Sequence, residues 1–239
     1  MLSKTPINDT EELAFLYGQL GSIYLVKEDL DQSRVFLEQA TNIYLTSLGE
    51  EDTELAAVYS NLGHIYLLKE DWNNALEYFC RTLSIELNHP EINQASVATT
   101  YNNIGCTLHY QNQLDEALIN YNQALNLRLK ALPTYHPDLA ESYSNIAGIY
   151  TVKEDYTTAL SCLEKALSIE KRTLPPYHRS LAISHYNMGR LLELLHRYNE
   201  AVVYAEKAVE IAQRTYLSGH PRMTMYEECL IRISQQLRA

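Results

Sequence analysis

The chain repeats itself every 42 residues, and no other feature constrains its fold as strongly. Leu55-Ala-Ala-Val-Tyr-Ser-Asn-Leu-Gly, Val97-Ala-Thr-Thr-Tyr-Asn-Asn-Ile-Gly, Leu139-Ala-Glu-Ser-Tyr-Ser-Asn-Ile-Ala and Leu181-Ala-Ile-Ser-His-Tyr-Asn-Met-Gly start one period apart. Leu13-Ala-Phe-Leu-Tyr-Gly-Gln-Leu-Gly precedes them by the same step, and Met223 opens a partial sixth copy. The period predicts an N-terminal extension 1–12, repeats 13–54, 55–96, 97–138, 139–180 and 181–222, and a partial repeat or capping helix 223–239. A unit this short cannot bury its own apolar face, so the copies must stack.

Counted from each first residue, the apolar positions 0, +4, +7 and +11 fall within about 40° of one line on a helical wheel, which predicts an amphipathic helix A. A polar tripeptide follows, such as Lys27-Glu-Asp, Lys69-Glu-Asp or Lys153-Glu-Asp, and then a longer apolar pattern, helix B. Small residues recur on helix B at +20 (Ser33, Ala75, Ala117, Ala159, Ala201) and +27 (Ala40, Thr82, Ala124, Ala166, Ala208), where a neighbouring helix can come close. Asp9 with Glu12 reads as an N-cap pair, and Pro137 and Pro221 read as first helical residues. His136, His178 and His220 recur in the loops, which suits a structural cap better than a catalytic group, since catalysis needs its group only once.

Composition narrows the function. The chain holds 30 acidic and 19 basic residues, a formal charge of −11, which argues against nucleic-acid and anionic membrane surfaces. The charge is uneven: residues 1–80 carry 14 acids and 4 bases, residues 161–239 carry 8 and 11. An acidic front and a basic back would allow weak head-to-tail association of copies. No apolar run is long enough for a membrane span, and the start lacks the apolar stretch of a signal peptide, so a cytoplasmic location is expected. Cys80, Cys106, Cys162 and Cys229 show no paired spacing and read as reduced thiols. Of the 19 tyrosines, most recur at fixed offsets, which makes their abundance a packing choice.

The concurrent pattern of aromatic at +4 (Tyr17, Tyr59, Tyr101, Tyr143), Leu-Gly at +7 and +8 (Leu20-Gly21, Leu62-Gly63) and Ala at +20 and +27 resembles the tetratricopeptide repeat (TPR). His185 and Ala147 depart from it at +4 and +8. The period of 42 in place of the usual 34, with the spelling His-Pro-Asp-Leu-Ala, is similar to the repeats of kinesin light chains. The resemblance implies an all-α, right-handed superhelical solenoid of about five helix-turn-helix repeats plus a C-terminal capping helix. It implies a non-catalytic scaffold of the cargo or adaptor type, holding a peptide or helical segment of a partner in a concave groove walled by A helices. A kinesin light chain also carries a heptad segment before its repeats; 12 residues precede Leu13 in this sequence, which points away from motor binding. Similar repeats accompany catalytic domains such as ADP-ribosyltransferases and signalling NTPases, so a detached regulatory or targeting region of a larger enzyme is the alternative.

On the wheel, the face opposite the apolar stripe holds Gln19, Asn61, His64, Asn102, Asn103, His109, Tyr110, Asn145, Tyr186, Asn187 and Arg190, which are the candidate groove residues. A carboxamide recurs at +6 as Gln19, Asn61, Asn103, Asn145 and Asn187. Such a ladder can pair with the backbone of an extended ligand, or it can bond to the next A helix and fix stacking. The version of this fold that receives acidic chain termini needs Lys or Arg at +2, +5 and +6, and this chain has none there. A partner with apolar anchors that is not strongly acidic is therefore expected, meeting residues such as Phe15, Leu68 and Leu194. His64, Cys106 and His109 share the groove face, but without a fourth ligand they read as lining, and no metal or cofactor is expected. Phosphate loops and hydrolase motifs do not occur, so no catalytic residue is assigned.

Overall fold

The computed structural model describes residues 7–89, 91, 93–217 and 219–238, with side chains from Thr10 onward. Among these lie eleven α-helices and no strand: α1 (Ile7–Val26), α2 (Leu30–Ser47), α3 (Thr53–Leu68), α4 (Trp72–Asn88), α5 (Gln94–Tyr110), α6 (Leu114–Ala131), α7 (Pro137–Val152), α8 (Tyr156–Thr173), α9 (Arg179–Leu194), α10 (Tyr198–Thr215) and α11 (Pro221–Arg238). Odd-numbered helices are the A helices and even-numbered ones the B helices. The fold class is the expected all-α array of helical hairpins. It divides into two compact units, Met1–Leu127 and Arg128–Ala239, the division falling within α6.

The backbone closes the first helix of every hairpin in the same way. Glu28, Glu70, Asn112, Glu154 and His196 lie 42 residues apart with φ of 58–61°, in the left-handed region. The residue after each donates its amide back across the turn, as Asp29 N to Tyr24 O and Asp155 N to Tyr150 O, which is a Schellman closure. A side chain at such a φ costs about 1–2 kcal/mol. In three of the turns the following Asp offsets this by starting helix B: Asp29, Asp71 and Asp155 accept from the amides of Gln32, Asn74 and Thr158. Such a cap is worth about 1 kcal/mol. In the last hairpin Arg197 stands at that position, makes no capping bond and pairs with Glu200.

The N-termini of the A helices follow the loop signals. Asp52, Asn93, His136 and His178 cap α3, α5, α7 and α9, and His220 Nδ1 accepts from Arg222 N at the start of α11. The loop histidines are thus backbone caps, as their recurrence implies, and Pro137 and Pro221 open their helices. The loop tyrosines have a role too, since Arg172 lies over the Tyr135 ring at 4.3 Å and Arg214 over Tyr177 at 4.0 Å. One expectation fails: Asp9 lies inside α1, which begins at Ile7, so it is not an N-cap and the first A helix reaches into the extension 1–12.

In the first unit α1 packs on α2, α2 on α3, α3 on α4 and α4 on α5, with α1 also touching α3. In the second, α7 packs on α8, α8 on α9, α9 on α10 and α10 on α11, with α9 touching α11. The small residues make this possible: Ser33, Ala75, Ala117, Ala159 and Ala201 are all 0% exposed. Ser33 and Thr82, the two departures from Ala, satisfy their hydroxyls by donating to backbone, Ser33 to Gly21 O and Thr82 to Tyr78 O. The glycine at +8 is read by the side chain at +24 on the partner helix. A Cβ on Gly63 would stand 2.6 Å from the Phe79 ring, and one on Gly105 2.8 Å from the Tyr121 ring. Where the slot holds Ala147, the residue at +24 is Leu163, also buried.

The aromatic residues of helix A close around one residue of helix B. Tyr17 and Tyr24 flank Phe36, and Tyr59 and Tyr66 flank Tyr78. At +4 of the last hairpin stands His185, 6% exposed, against Tyr204, with Nδ1 unpartnered. Burial, aided by Lys171 and Lys207, depresses its pKa to about 4. In α1 the apolar face is bare: Leu13, Leu16, Leu20 and Ile23 are 38–56% exposed, whereas their counterparts Leu55, Val58, Leu62 and Ile65 on α3 are 0–4% exposed against α2.

Two measurements check this packing. Gly63→Ala is expected to cost about 1–3 kcal/mol in chemical denaturation, because the added methyl group meets the fully buried Phe79 ring. The His185 ring is neutral when folded, so as pH falls from 6.5 to 4 the unfolded chain takes up a proton that the folded chain refuses, and stability drops by about 1–3 kcal/mol. His185→Tyr, which restores the residue found at +4 in the other repeats, should flatten that part of the pH profile of the melting temperature.

Candidate functional site

From α3 onward the A helices turn their apolar stripe onto their neighbours, and the opposite face carries the candidate groove residues. In the first unit that face is carried by α1, α3 and α5, in the second by α7, α9 and α11. Adjacent A helices are tied at a spacing of 39 residues. Asn61 Nδ2 donates to Ser22 Oγ at 2.9 Å, and Ser22 Oγ donates on to Gly18 O. Asn103 Nδ2 meets His64 Nε2 at 3.1 Å. Burial lowers the pKa of His64, which keeps the ring neutral and that nitrogen an acceptor. In the second unit Arg232 spans the same interval to grip Glu193 with two bonds of 2.8 and 2.9 Å. That pairing holds Arg232 charged and leaves it neutralised toward an acidic ligand.

These bonds separate the candidate residues. Asn61 and Asn103 use an amide hydrogen on the preceding A helix, so stacking is a role both of them perform. Asn102 is a correction: it is 6% exposed and has a partner, because packing of α5 against its neighbours covers +5, which a single-helix wheel leaves open. Gln19 and Arg190 are exposed, and the Arg190 guanidinium lies 5.6 Å over the Tyr186 ring, which in turn meets Tyr226 at 5.0 Å. His64, His109, Asn145 and Asn187 are half-buried, and burial lowers the pKa of His109. Tyr110 is 61% exposed and stacks at 4.7 Å on Trp72 at the start of α4, so its ring serves the edge of the face where helices A and B turn.

The position +13 presents an apolar side chain to solvent in every hairpin: Val26, Leu68 and Tyr110 in the first unit, Val152 and Leu194 in the second, 41–85% exposed. Phe15 is 52% exposed on the same side of α1. Sequence reasoning missed a second feature. Glu86, near the end of α4, follows Ala75, Phe79 and Thr82 on that helix's buried stripe and is itself 3% exposed. Glu170 occupies the same position on α8, half-buried, where burial raises its pKa. The signal was available, because an acid in phase with a buried stripe is not a solvated one. Among the described residues no group of three or more His, Cys, Asp or Glu is placed to hold a metal ion, and no helix is long and apolar enough to cross a membrane.

Profiles of the tetratricopeptide repeat match residues 12–86, 97–138 and 138–214, most of the chain. The chain belongs to the TPR family. Solved structures agree in fold. Kinesin light chain TPR-like repeats from P. anserina are 22% identical over 78% of this chain and 88% of that one, with a TM-score of 0.66. BtubC from P. vanneervenii is 20% identical over 90% of each chain, with a TM-score of 0.73. The apo form of RapI reaches a TM-score of 0.76 at 16% identity over 93% of this chain and 84% of that one. No functionally curated protein matches the sequence. TPR arrays are protein–protein interaction scaffolds, and the kinesin-light-chain likeness read from the sequence agrees with the P. anserina structure among these neighbours.

The i to i+39 bonds make a checkable claim about the TPR stack. Asn61→Ala should lower the unfolding free energy of the ligand-free protein by about 1 kcal/mol, the net worth of one part-buried hydrogen bond. A carboxamide serving only a ligand would leave the free protein unchanged.

Proposed function

We propose that the chain is a non-catalytic adaptor of the cytoplasm whose A-helix face binds a peptide or helical segment of a protein partner. The observation that carries this reading is the face itself: in the first unit it sets exposed Phe15, Val26, Leu68 and Tyr110 beside carboxamides and hydroxyls, with almost no charge. An aromatic or aliphatic anchor can dock on the apolar side chains, while Gln19 in the first unit and Asn187 in the second offer donors and acceptors to ligand backbone. Tyr186 and Arg190 add a stacked cation–aromatic pair in the second unit. The acidic excess of the chain and the pairing of Arg232 with Glu193 favour ligands that are not strongly acidic. The same excess disfavours a phosphate backbone as partner.

A positional-scanning library of 12-residue peptides tests the reading. Peptides with a Leu, Phe or Trp anchor are expected to be enriched on the immobilised chain, and Leu68→Asp should weaken them at least tenfold without shifting the melting temperature. Enrichment of acidic peptides, or binding indifferent to Leu68→Asp, would overturn it.

A further inference from the structure

Between α3 and α5, open to the A-helix face, lies a cavity of about 400 Å³, within the size range of ligand sites. Ala57, Ser60, Asn61 and Thr99 line it together with Ser96, Thr100 and the deeply buried Glu86 of α4. Glu86 is unusual in what it lacks. Its Oε1 accepts a short hydrogen bond from Ser96 Oγ, but its Oε2 is buried with no partner among the described residues. Among the described residues no Lys or Arg lines the cavity. An acidic side chain only 3% exposed with one oxygen unpartnered is costly to bury, and a site that receives a cationic donor from outside removes the cost.

The next repeat shows what that position can hold. Its residue at the corresponding place is Arg128, 3% exposed, whose guanidinium donates to Asp138 O at 2.9 Å and Ser142 Oγ at 2.8 Å and pairs with Glu141 at 3.2 Å. Asp138 and Ser142 correspond by the period to Ser96 and Thr100. A guanidinium buried at this depth among hydroxyl and carbonyl oxygens is therefore already part of the fold. We propose that the cavity over Glu86 is a specificity pocket for an arginine or lysine side chain of the bound partner. The ligand supplies the charge that Arg128 supplies internally one repeat later. Guanidinium is the better fit, having five donors and no acceptor for a wall of hydroxyls around one carboxylate. Glu170 stands over a cavity of about 400 Å³ in the second unit, lined by Asp138, Glu141, Ser144 and Ser184, and its Oε2 is likewise buried without a partner. The proposal rests on the A-helix face being the peptide-binding surface, and it names the chemistry of one anchor.

The pocket can be tested without any peptide. N-acetyl-arginine amide is titrated into the isotopically labelled chain and the amide shifts of Ser96, Thr99 and Thr100 are followed, with N-acetyl-citrulline amide as the neutral isostere. Saturable shifts at least tenfold more sensitive to the arginine probe, and lost in Glu86→Gln, are expected. Equal response to both probes, no response, or a response that survives Glu86→Gln overturns the pocket. The citrulline comparison on the wild-type chain holds even if that variant is poorly folded, which its melting curve would report. In the peptide library, Arg and Lys should be enriched at one position beside the apolar anchor, and Glu86→Gln should abolish that preference while anchor-dependent binding persists. If the arginine probe seats but no peptide binds, the pocket stands and the peptide-binding reading falls. If peptides bind through Leu68 but the probe does not seat, the reverse holds.

Discussion

The distance between the two helices of a hairpin governs most of what this chain can do. At Gly63 a single methyl group would sit 2.6 Å from the Phe79 ring, and Gly105 stands in the same relation to Tyr121. Fully buried alanines and one serine at +20 bring the backbones equally close from the other side. Because the hairpin is so tight, its outer surfaces are held at fixed positions, and stacking then needs only complementary apolar stripes. The side chains of the A-helix face are positioned by this packing and not by loops.

The stacking bonds on the A-helix face blur the division between scaffold and site. Asn61 and Asn103 hold one A helix to the one before it, yet they lie on the surface a ligand would touch. A carboxamide has two donors and one acceptor oxygen, so one bond to the stack does not exhaust it. Substitutions at this row therefore mix stability with affinity, and the separation has to come from residues such as Leu68 that are exposed and bonded to nothing in the stack.

Much of this was legible in the sequence, for a physical reason: each repeat states the same packing problem again. Gly at +8 in four of five copies and Ala at +20 in four of five identified the close approach, and the loop histidines announced themselves as caps by recurring with the fold period. Reading failed where one copy differs from the rest or where geometry lies between helices. Asp9 looked like a cap because its spacing to Glu12 is right, but spacing does not reveal that the helix already runs from Ile7. Asn102 was assigned to the open face because a wheel knows nothing of the neighbouring helix. Glu86 escaped notice because the same position holds Tyr44, Arg128 and Ala212 elsewhere, so periodicity, which made everything else visible, hid it.

The interval of 39 residues between bonded A-helix neighbours has a geometric consequence. It is three short of the repeat, so the true neighbour of a residue lies almost one helical turn, about 4.5 Å, nearer the N-terminus of the next A helix than its counterpart does. A line through bonded neighbours thus crosses a pair of A helices on a slant, passing from +9 to +6. A ligand that keeps to one slot crosses them along a different line. Aligning the repeats slot by slot shows only one of these two lines.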